Sequence, residues 1–534
     1  MNTSRILRPA TVRAAAAAVA AVAAMTALTA LTALTACTTA RVAPAQPTLA
    51  ALAAAEMPPP EPREFRAAWV ATVANIDWPS RPGLSGQAQR SEAVLMLDRA
   101  RQIGLNALIL QVRPSADAIY PSALEPWTEY LSGEQGRGPW LADEPPWDPL
   151  AFWVAQAHQR GIELHVWLNP YRARQHSAKS PLSPQHLSVR QPALVKRYGD
   201  QLWMDPGEPA AAAQTLAVVA DVLRRYAVDG VHIDDYFYPY PIAQPGGGGD
   251  VPFPDDASFA RYVVGGGTLV RDDWRRANVN NLVQALDQTV RRERPGARLG
   301  VSPFGLGRPD RRPPGITGFS QYDKLYADVE LWFRQGWMDY LAPQLYWPID
   351  RVGQQFPVLL DYWLAQNTAQ RHVWPGLYTS LVSRDGVIGP RAWAAREIVD
   401  QVAVQRSRPA ASGHIHFSMV ALMQDRGGVA TQLQAGPYAV PALVPPTPWR
   451  GSTPQPAPPA APVLKQAAGQ VSIEPAAGTA VAQWAVWRRS AGQWRFSVQP
   501  VVERTVATAG ADALVVSAVD RWGQLSPRTT TRLP

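Results

Sequence analysis

The sequence predicts a (β/α)8 barrel of the α/β class, followed by a small all-β sandwich of the fibronectin-III-like kind. Three observations carry this expectation. Short apolar runs of strand composition recur eight times between Glu64 and Val420, mostly separated by helix-compatible segments. No glycine-rich dinucleotide or phosphate loop follows the first run, and an open doubly wound sheet usually has fewer strands. Beyond Pro462 the pattern changes to short β-rich runs, "VAQWAVWRR", "WRFSVQPVV" and "ALVVSAVDRWG", without a helical period.

Taken in order, the chain opens on a targeting segment. Arg5, Arg8 and Arg13 precede an uncharged Ala/Leu/Thr run from Ala14 to Ala36, which is set aside from the fold. A run of this length could also span a bilayer. However, it ends in Leu34-Thr35-Ala36-Cys37, which resembles the bacterial lipobox, and small residues flank the cysteine. Residues 1–36 therefore read as a lipoprotein signal peptide, Cys37 as the lipidated residue, and Ala/Pro-rich 37–62 as a tether. Cys37 is the sole cysteine of the 534 residues, so no disulfide can form within one chain and the fold rests on packing.

Residues 63–440 are the barrel. Its strands are "FRAAWVATV", "LNALILQVR", "IELHVWLNP", "VDGVHIDD", "RLGVSPFG", "MDYLAPQLYW", "HVWPGLY" and "SGHIHFSMV". "SEAVLMLDRARQIG" and "DPLAFWVAQAHQRG" are the helices before the second and third strands, the latter with Asp148 as N-cap. Residues 441–462 read as a Pro-rich linker and 463–534 as the sandwich. The net charge of +8 falls to +5 once the three signal arginines are set aside. That is modest, and with no basic run it gives no indication of nucleic-acid binding.

In such a barrel the site lies at the carboxyl ends of the strands, and alternation sorts side chains by face. In "DGVHIDDYFYP", Val231 and Ile233 should pack toward the helices, which aims His232 and Asp234 inward and leaves Asp235 at the start of the rim. The same count brings Gln111, Arg113, Asn169, Ser302, Gln344 and Tyr346 to one mouth. Trp69, Trp78, Trp167, Trp347, Trp374, Tyr236, Tyr238 and Tyr346 lie near strand ends, where flat rings suit pyranose faces, although large rings also commonly bury in the core. Asp77-Trp78-Pro79 and Tyr346-Trp347-Pro348 stand where a strand becomes a loop.

Carboxylates beside stacking rings suggest glycoside hydrolysis, which needs one acid for the leaving oxygen and one carboxylate at the anomeric carbon. Asp234 is first choice for the second role. Asp235, Asp328 and Asp350 qualify as the acid, with Asp328 also able to cap a helix. His165, His232, His414 and His416 are all candidates for the barrel interior, and such a set suits a metal-dependent hydrolase. His165 and His232 lie below the strand tops, where packing is the simpler role, so no metal or other cofactor is expected. No G-x-S-x-G elbow occurs.

Together "EFRAAWVATVANIDWPS", "DGVHIDDYFYP", "QYDKLYADVELWFRQGWMDYLAPQLYW" and the lipobox resemble the bacterial glycosyl-hydrolase-like family ten, TIM-barrel lipoproteins that include an enzyme digesting peptide-free peptidoglycan strands. The resemblance covers about Glu64 to Leu433. It implies a glycosidase with peptidoglycan or a related glycan as partner, lipid-anchored at Cys37. Thr38 after the cysteine implies transfer to the outer membrane, facing the periplasm. The fourth-strand motif is also similar to the chitinase pattern D-G-x-D-x-D-x-E, with His232 in place of an aspartate and Tyr236 in place of the catalytic glutamate. Two other readings stand beside hydrolysis: a non-catalytic glycan-binding lipoprotein and a metal-dependent glycan deacetylase.

Overall fold

The computed structural model describes residues 52–450, 457–467 and 469–533. The expected signal peptide, Cys37, most of the tether and part of the Pro-rich linker lie outside the described residues.

Eight parallel strands form the barrel. β1 (Phe65–Val70), β2 (Ala107–Arg113), β3 (Glu163–Leu168), β4 (Gly230–Ile233), β5 (Arg298–Val301) and β6 (Tyr340–Leu341) pair in sequence. β7 comes in two pieces: His372–Val373 pairs with β6, and Gly376–Leu377 pairs with β8 (Gly413–His416). β8 returns to β1, and a bridge between Gln344 and Gly376 completes the ring. All eight predicted strands are present.

Helices fill each crossover: α1 (Gly86–Ile103), α2 (Pro149–Gln159), α3 (Pro209–Arg225), α4 (Arg271–Glu293), α5 (Val329–Gln335), α6 (Phe356–Ala365) and α7 (Ala395–Arg406). α8 (Val429–Ala435) follows β8. Asp148 caps α2 as expected, its Oδ1 accepting the Ala151 N–H at 3.1 Å.

Period-two alternation separates the two faces of the strands. Phe65, Ala67 and Trp69 of β1 fill the interior with Ile109, Trp167, Tyr340, Trp374 and Ile415. Val70, Leu108, Leu164, Val166, Val231 and Leu299 pack outward under the helices. Two interior positions are glycine because their neighbours are large. A β-carbon at Gly300 would overlap the Tyr340 ring, and one at Gly230 the His165 ring.

Two expectations about direction fail here. Ile415 takes the inward place on β8, so His414 and His416 face the helix layer, where both meet the Tyr438 hydroxyl. On β2 the register shifts between Gln111 and Arg113, and this bulge pairs Arg113 with outward-facing Leu168. The arginine leaves the mouth and is buried in a two-pronged ion pair with Glu125, Nη2 donating to Oε1 at 2.6 Å and Nε to Oε2 at 2.8 Å.

The C-terminal region is a seven-stranded sandwich of two antiparallel sheets. β9 (Val463–Ala467), β10 (Gln470–Glu474) and β13 (Thr505–Ala507) form one in the order β9-β10-β13. The other is β12-β11-β14-β15, from β11 (Gln483–Ser490), β12 (Gln493–Pro500), β14 (Ala513–Val519) and β15 (Thr529–Arg532). This is the strand order of a fibronectin-III-like sandwich, cored by Val471, Ile473, Trp484, Leu514 and Val516.

The sandwich meets the barrel at the amino-terminal ends of the strands. Arg521 pairs with Asp229 at 2.8 Å just before β4, and Arg63 donates to the carbonyls of Val444 and Gly523. The segments expected as tether and linker are partly packed. Arg528 holds the carbonyls of Pro58 and Pro59, while Arg450 and Trp449 close on Asp339 beneath β6. Burial pushes the Asp339 carboxyl up, but Arg450 outweighs it and holds the group at about 2.

Candidate active site

At the carboxyl ends of the strands the barrel opens into a cleft of about 230 Å³. Its floor is a hydrogen-bonded aromatic layer. Trp69 Nε1 donates to His232 Nε2 at 3.0 Å, which places the His232 proton on Nδ1, facing the Tyr340 hydroxyl at 3.0 Å. That hydroxyl also meets His165 Nδ1 at 2.9 Å. Burial pushes His232 well below the usual imidazole range, so that ring stays neutral.

Above the floor stand two carboxyls from "HIDDYFYP". Asp234 accepts from Trp167 Nε1 at 2.9 Å and Asn169 Nδ2 at 3.2 Å, both supplied by β3 and its loop. The Asn169 amide cannot turn, because its Oδ1 accepts the Arg172 backbone N–H at 2.8 Å. Asp235 also lines the cleft, and its Oδ2 accepts from the Tyr240 hydroxyl. The expected division, with Asp234 in the cleft and Asp235 on the rim, is therefore not observed. The chain turns immediately after β4, and both carboxyls are less than 5% exposed.

Burial raises both groups. It pushes Asp234 up to about 7, helped by the like charge of Asp235 and opposed by Arg172 and the two N–H donors. Asp235 is raised by burial as well, against the pull of the Tyr240 hydroxyl. Two adjacent buried carboxyls do not both ionise readily, so the pair retains a proton near neutral pH.

The walls gather other predicted positions: Tyr236, Gln344, Tyr346 and Ser302 line the cleft with Trp69. Tyr346 stacks toward Tyr378 and Phe417, with ring centres 4.7 Å and 5.8 Å away. Gln344 donates to the Ser302 carbonyl at 3.1 Å.

Several predicted residues serve the scaffold instead of lining this cleft. Asp77 ties the loop after β1 to that after β8, accepting from the Ala71 N–H, the Ser418 hydroxyl and the Val420 N–H. Burial pushes it up to about 6. Trp78 is fully buried, edge-on to Trp153 and donating to the Gln89 carbonyl. Gln111 Oε1 accepts the N–H groups of Thr72 and Val73, below the loop.

Tyr238 packs against Phe253 and Tyr326 in a neighbouring groove, and Trp347 packs on Phe304. Asp328 is the N-cap of α5, accepting the Leu331 N–H at 3.2 Å. Asp350 is exposed and does not line the cleft.

Sequence reasoning missed Arg172, Gln175 and Tyr240, which line the cleft, and did not foresee the hydrogen bond from Trp167 to Asp234. Arg172 and Gln175 follow β3 in "NPYRARQ", where strand alternation has already ended. Tyr240 lies in the irregular turn after β4, where period-two counting assigns it no side. Among the described residues no three His, Cys, Asp or Glu side chains are grouped to hold a metal ion.

The family model described as "Glycosyl hydrolase-like 10" matches residues 64–387. Glycosyl hydrolase YngK of Bacillus subtilis is 38% identical over 394 residues, covering 73% of this chain and 74% of that protein. Glycosyl hydrolase DigH of Escherichia coli K12 is 33% identical over 317 residues, covering 56% and 69%. Among solved structures, the glycoside hydrolase domain of PgaB (BpsB) from Bordetella bronchiseptica superposes with a TM-score of 0.46 at 13% identity, over 70% of this chain and 98% of that one.

Proposed function

The chain belongs to the glycosyl hydrolase-like 10 family, and from that membership and its cleft we propose that it hydrolyses glycosidic bonds in an envelope amino-sugar polymer, namely peptide-free peptidoglycan strands. The observation that carries this reading is the pair Asp234 and Asp235, buried side by side in one aromatic-walled cleft with a proton held up to about 7. A glycosidase needs this inequality between two carboxyls.

Asp234 takes the proton-donor role here, in place of the role at the anomeric carbon that is the first choice from the sequence. Its proton passes to the leaving glycosidic oxygen as the C1–O bond breaks. Asp235 supplies the negative charge facing the electron-poor anomeric centre, and water adds its hydroxyl to C1 and its remaining proton to the carboxyl pair. Tyr236 and Tyr346 offer ring faces to the sugars. The protein acts at the outer membrane, anchored through Cys37; Cys37→Ser should release it from the membrane fraction.

Mass spectrometry of fragments from peptide-free strands tests the reaction. Each cut should add one water, and Asp234→Asn and Asp235→Asn should each lower the rate about 1,000-fold or more while glycan binding persists. Fragments ending in an anhydro sugar would remove hydrolysis from the reading. Binding without any cut by the unaltered protein would leave a glycan-binding lipoprotein. With Asp234 as donor, the rate should fall as pH rises through about 7.

A further inference from the structure

We infer that Arg172 reads a free carboxylate on the sugar bound at the cleft, so that the site selects amino-sugar strands whose lactyl ether ends in an uncapped acid. This rests on the glycosidase reading and narrows its substrate.

Among the described residues that line the cleft, Arg172 is the sole lysine or arginine, facing two carboxyls and a set of neutral rings. It is 2% exposed. Its place is set by the backbone: Arg172–Arg174 pairs with Gln201–Met204 in a small antiparallel sheet, and the Arg172 N–H is held by Asn169. The side chain is fixed as well. Nε donates to the Pro114 carbonyl at 3.2 Å, and the guanidinium lies over the Tyr236 ring, 4.5 Å from its centre, in contact with the Tyr236 hydroxyl.

What this cation does not have is an ion-pair partner among the described residues. Arg66, Arg113, Arg275, Arg298 and Arg450 are similarly buried, and each is paired with a carboxylate; Arg426, the other buried arginine without an ion pair, is held by Gln424 and the Ser380 carbonyl and lies away from the cleft. The charges of Asp234 and Asp235 act on it from beyond ion-pair distance, so its planar fork stays available to a carboxylate on the bound sugar.

Neutral amino-sugar polymers bring no anion. A peptide-free lactyl ether brings one carboxylate per muramyl unit, whereas a stem peptide converts that carboxylate to an amide and adds bulk. The arginine therefore gives a physical reason for preferring peptide-free strands.

The test compares peptide-free strands carrying free lactyl acids with the same strands after methyl esterification, reading KM from released reducing ends. The unaltered protein should show a KM about 10-fold lower for the acid form. Arg172→Gln should collapse this ratio to within about twofold, and Arg172→Lys should retain part of it. Each ratio is taken within one protein, so any effect of Arg172 on Asp234 cancels. Equal KM values for the two substrates with the unaltered protein, or an undiminished ratio in Arg172→Gln, would overturn the inference and leave the glycosidase reading standing. Failure to cut either substrate would overturn both. If Arg172→Gln does not fold, the ester comparison and Arg172→Lys decide the question.

Discussion

At the scale of single residues, Asp234 exchanges stability for chemistry. Its folded value, about 7, lies above that of an exposed aspartate, so the folded state keeps a proton that the unfolded chain has already released. The contribution is intact in acid and is lost as pH rises through about 7. Asp234→Asn should therefore stabilise the fold, by little at pH 4 and by on the order of 2–4 kcal/mol at pH 8, with the melting temperature rising accordingly. Thermal unfolding of both proteins at the two pH values checks this. An equal gain at both would show that Asp234 does not hold its proton.

At the scale of elements, the barrel works by trading side-chain volume across neighbouring strands. Gly300 on β5 and Gly230 on β4 leave room for Tyr340 and His165, whose contact through the Tyr340 hydroxyl builds the floor beneath Asp234. Gly300→Ala pushes a methyl into the Tyr340 ring and should cost about 2–3 kcal/mol by overpacking. Because the displaced ring also meets His232, the same variant should lose activity at temperatures where it remains folded. Circular dichroism melts and initial rates measure the two effects separately. Full activity in a destabilised protein would show that the floor does not position the carboxyls.

At the scale of the whole molecule, the sandwich and the cleft occupy opposite ends of the barrel: Arg521 meets Asp229 ahead of β4, whereas Asp234 follows it. The barrel unit extends beyond residue 440, because Arg450 neutralises Asp339 beneath β6. A chain ending at residue 456 should fold, with a lowered melting temperature, and retain strand cleavage. One ending at residue 440 leaves Asp339 buried without its partner, a loss of about 3–5 kcal/mol, and should be insoluble or unfolded. Soluble yield and melting temperature distinguish the two. Equal behaviour would show that 441–450 is a passive linker.

The sequence by itself determined the barrel, its eight strands and the direction of Asp234, because hydrophobic alternation is a local property that survives wherever a strand is regular. It likewise separated the sandwich from the barrel through the change of period after Pro462. Tertiary structure decided what interrupts regularity or comes from elsewhere in the chain. The bulge that turns Arg113 to Glu125, the turn that brings Asp235 beside Asp234, and the loop that lays Arg172 over Tyr236 are examples. Whether Asp328 faced a substrate or capped α5 was equally a matter of packing, since an aspartate before a helix serves either purpose until its neighbours are in place. "DGVHIDDYFYP" announced two carboxyls, and only the closed barrel buried both of them in one cleft.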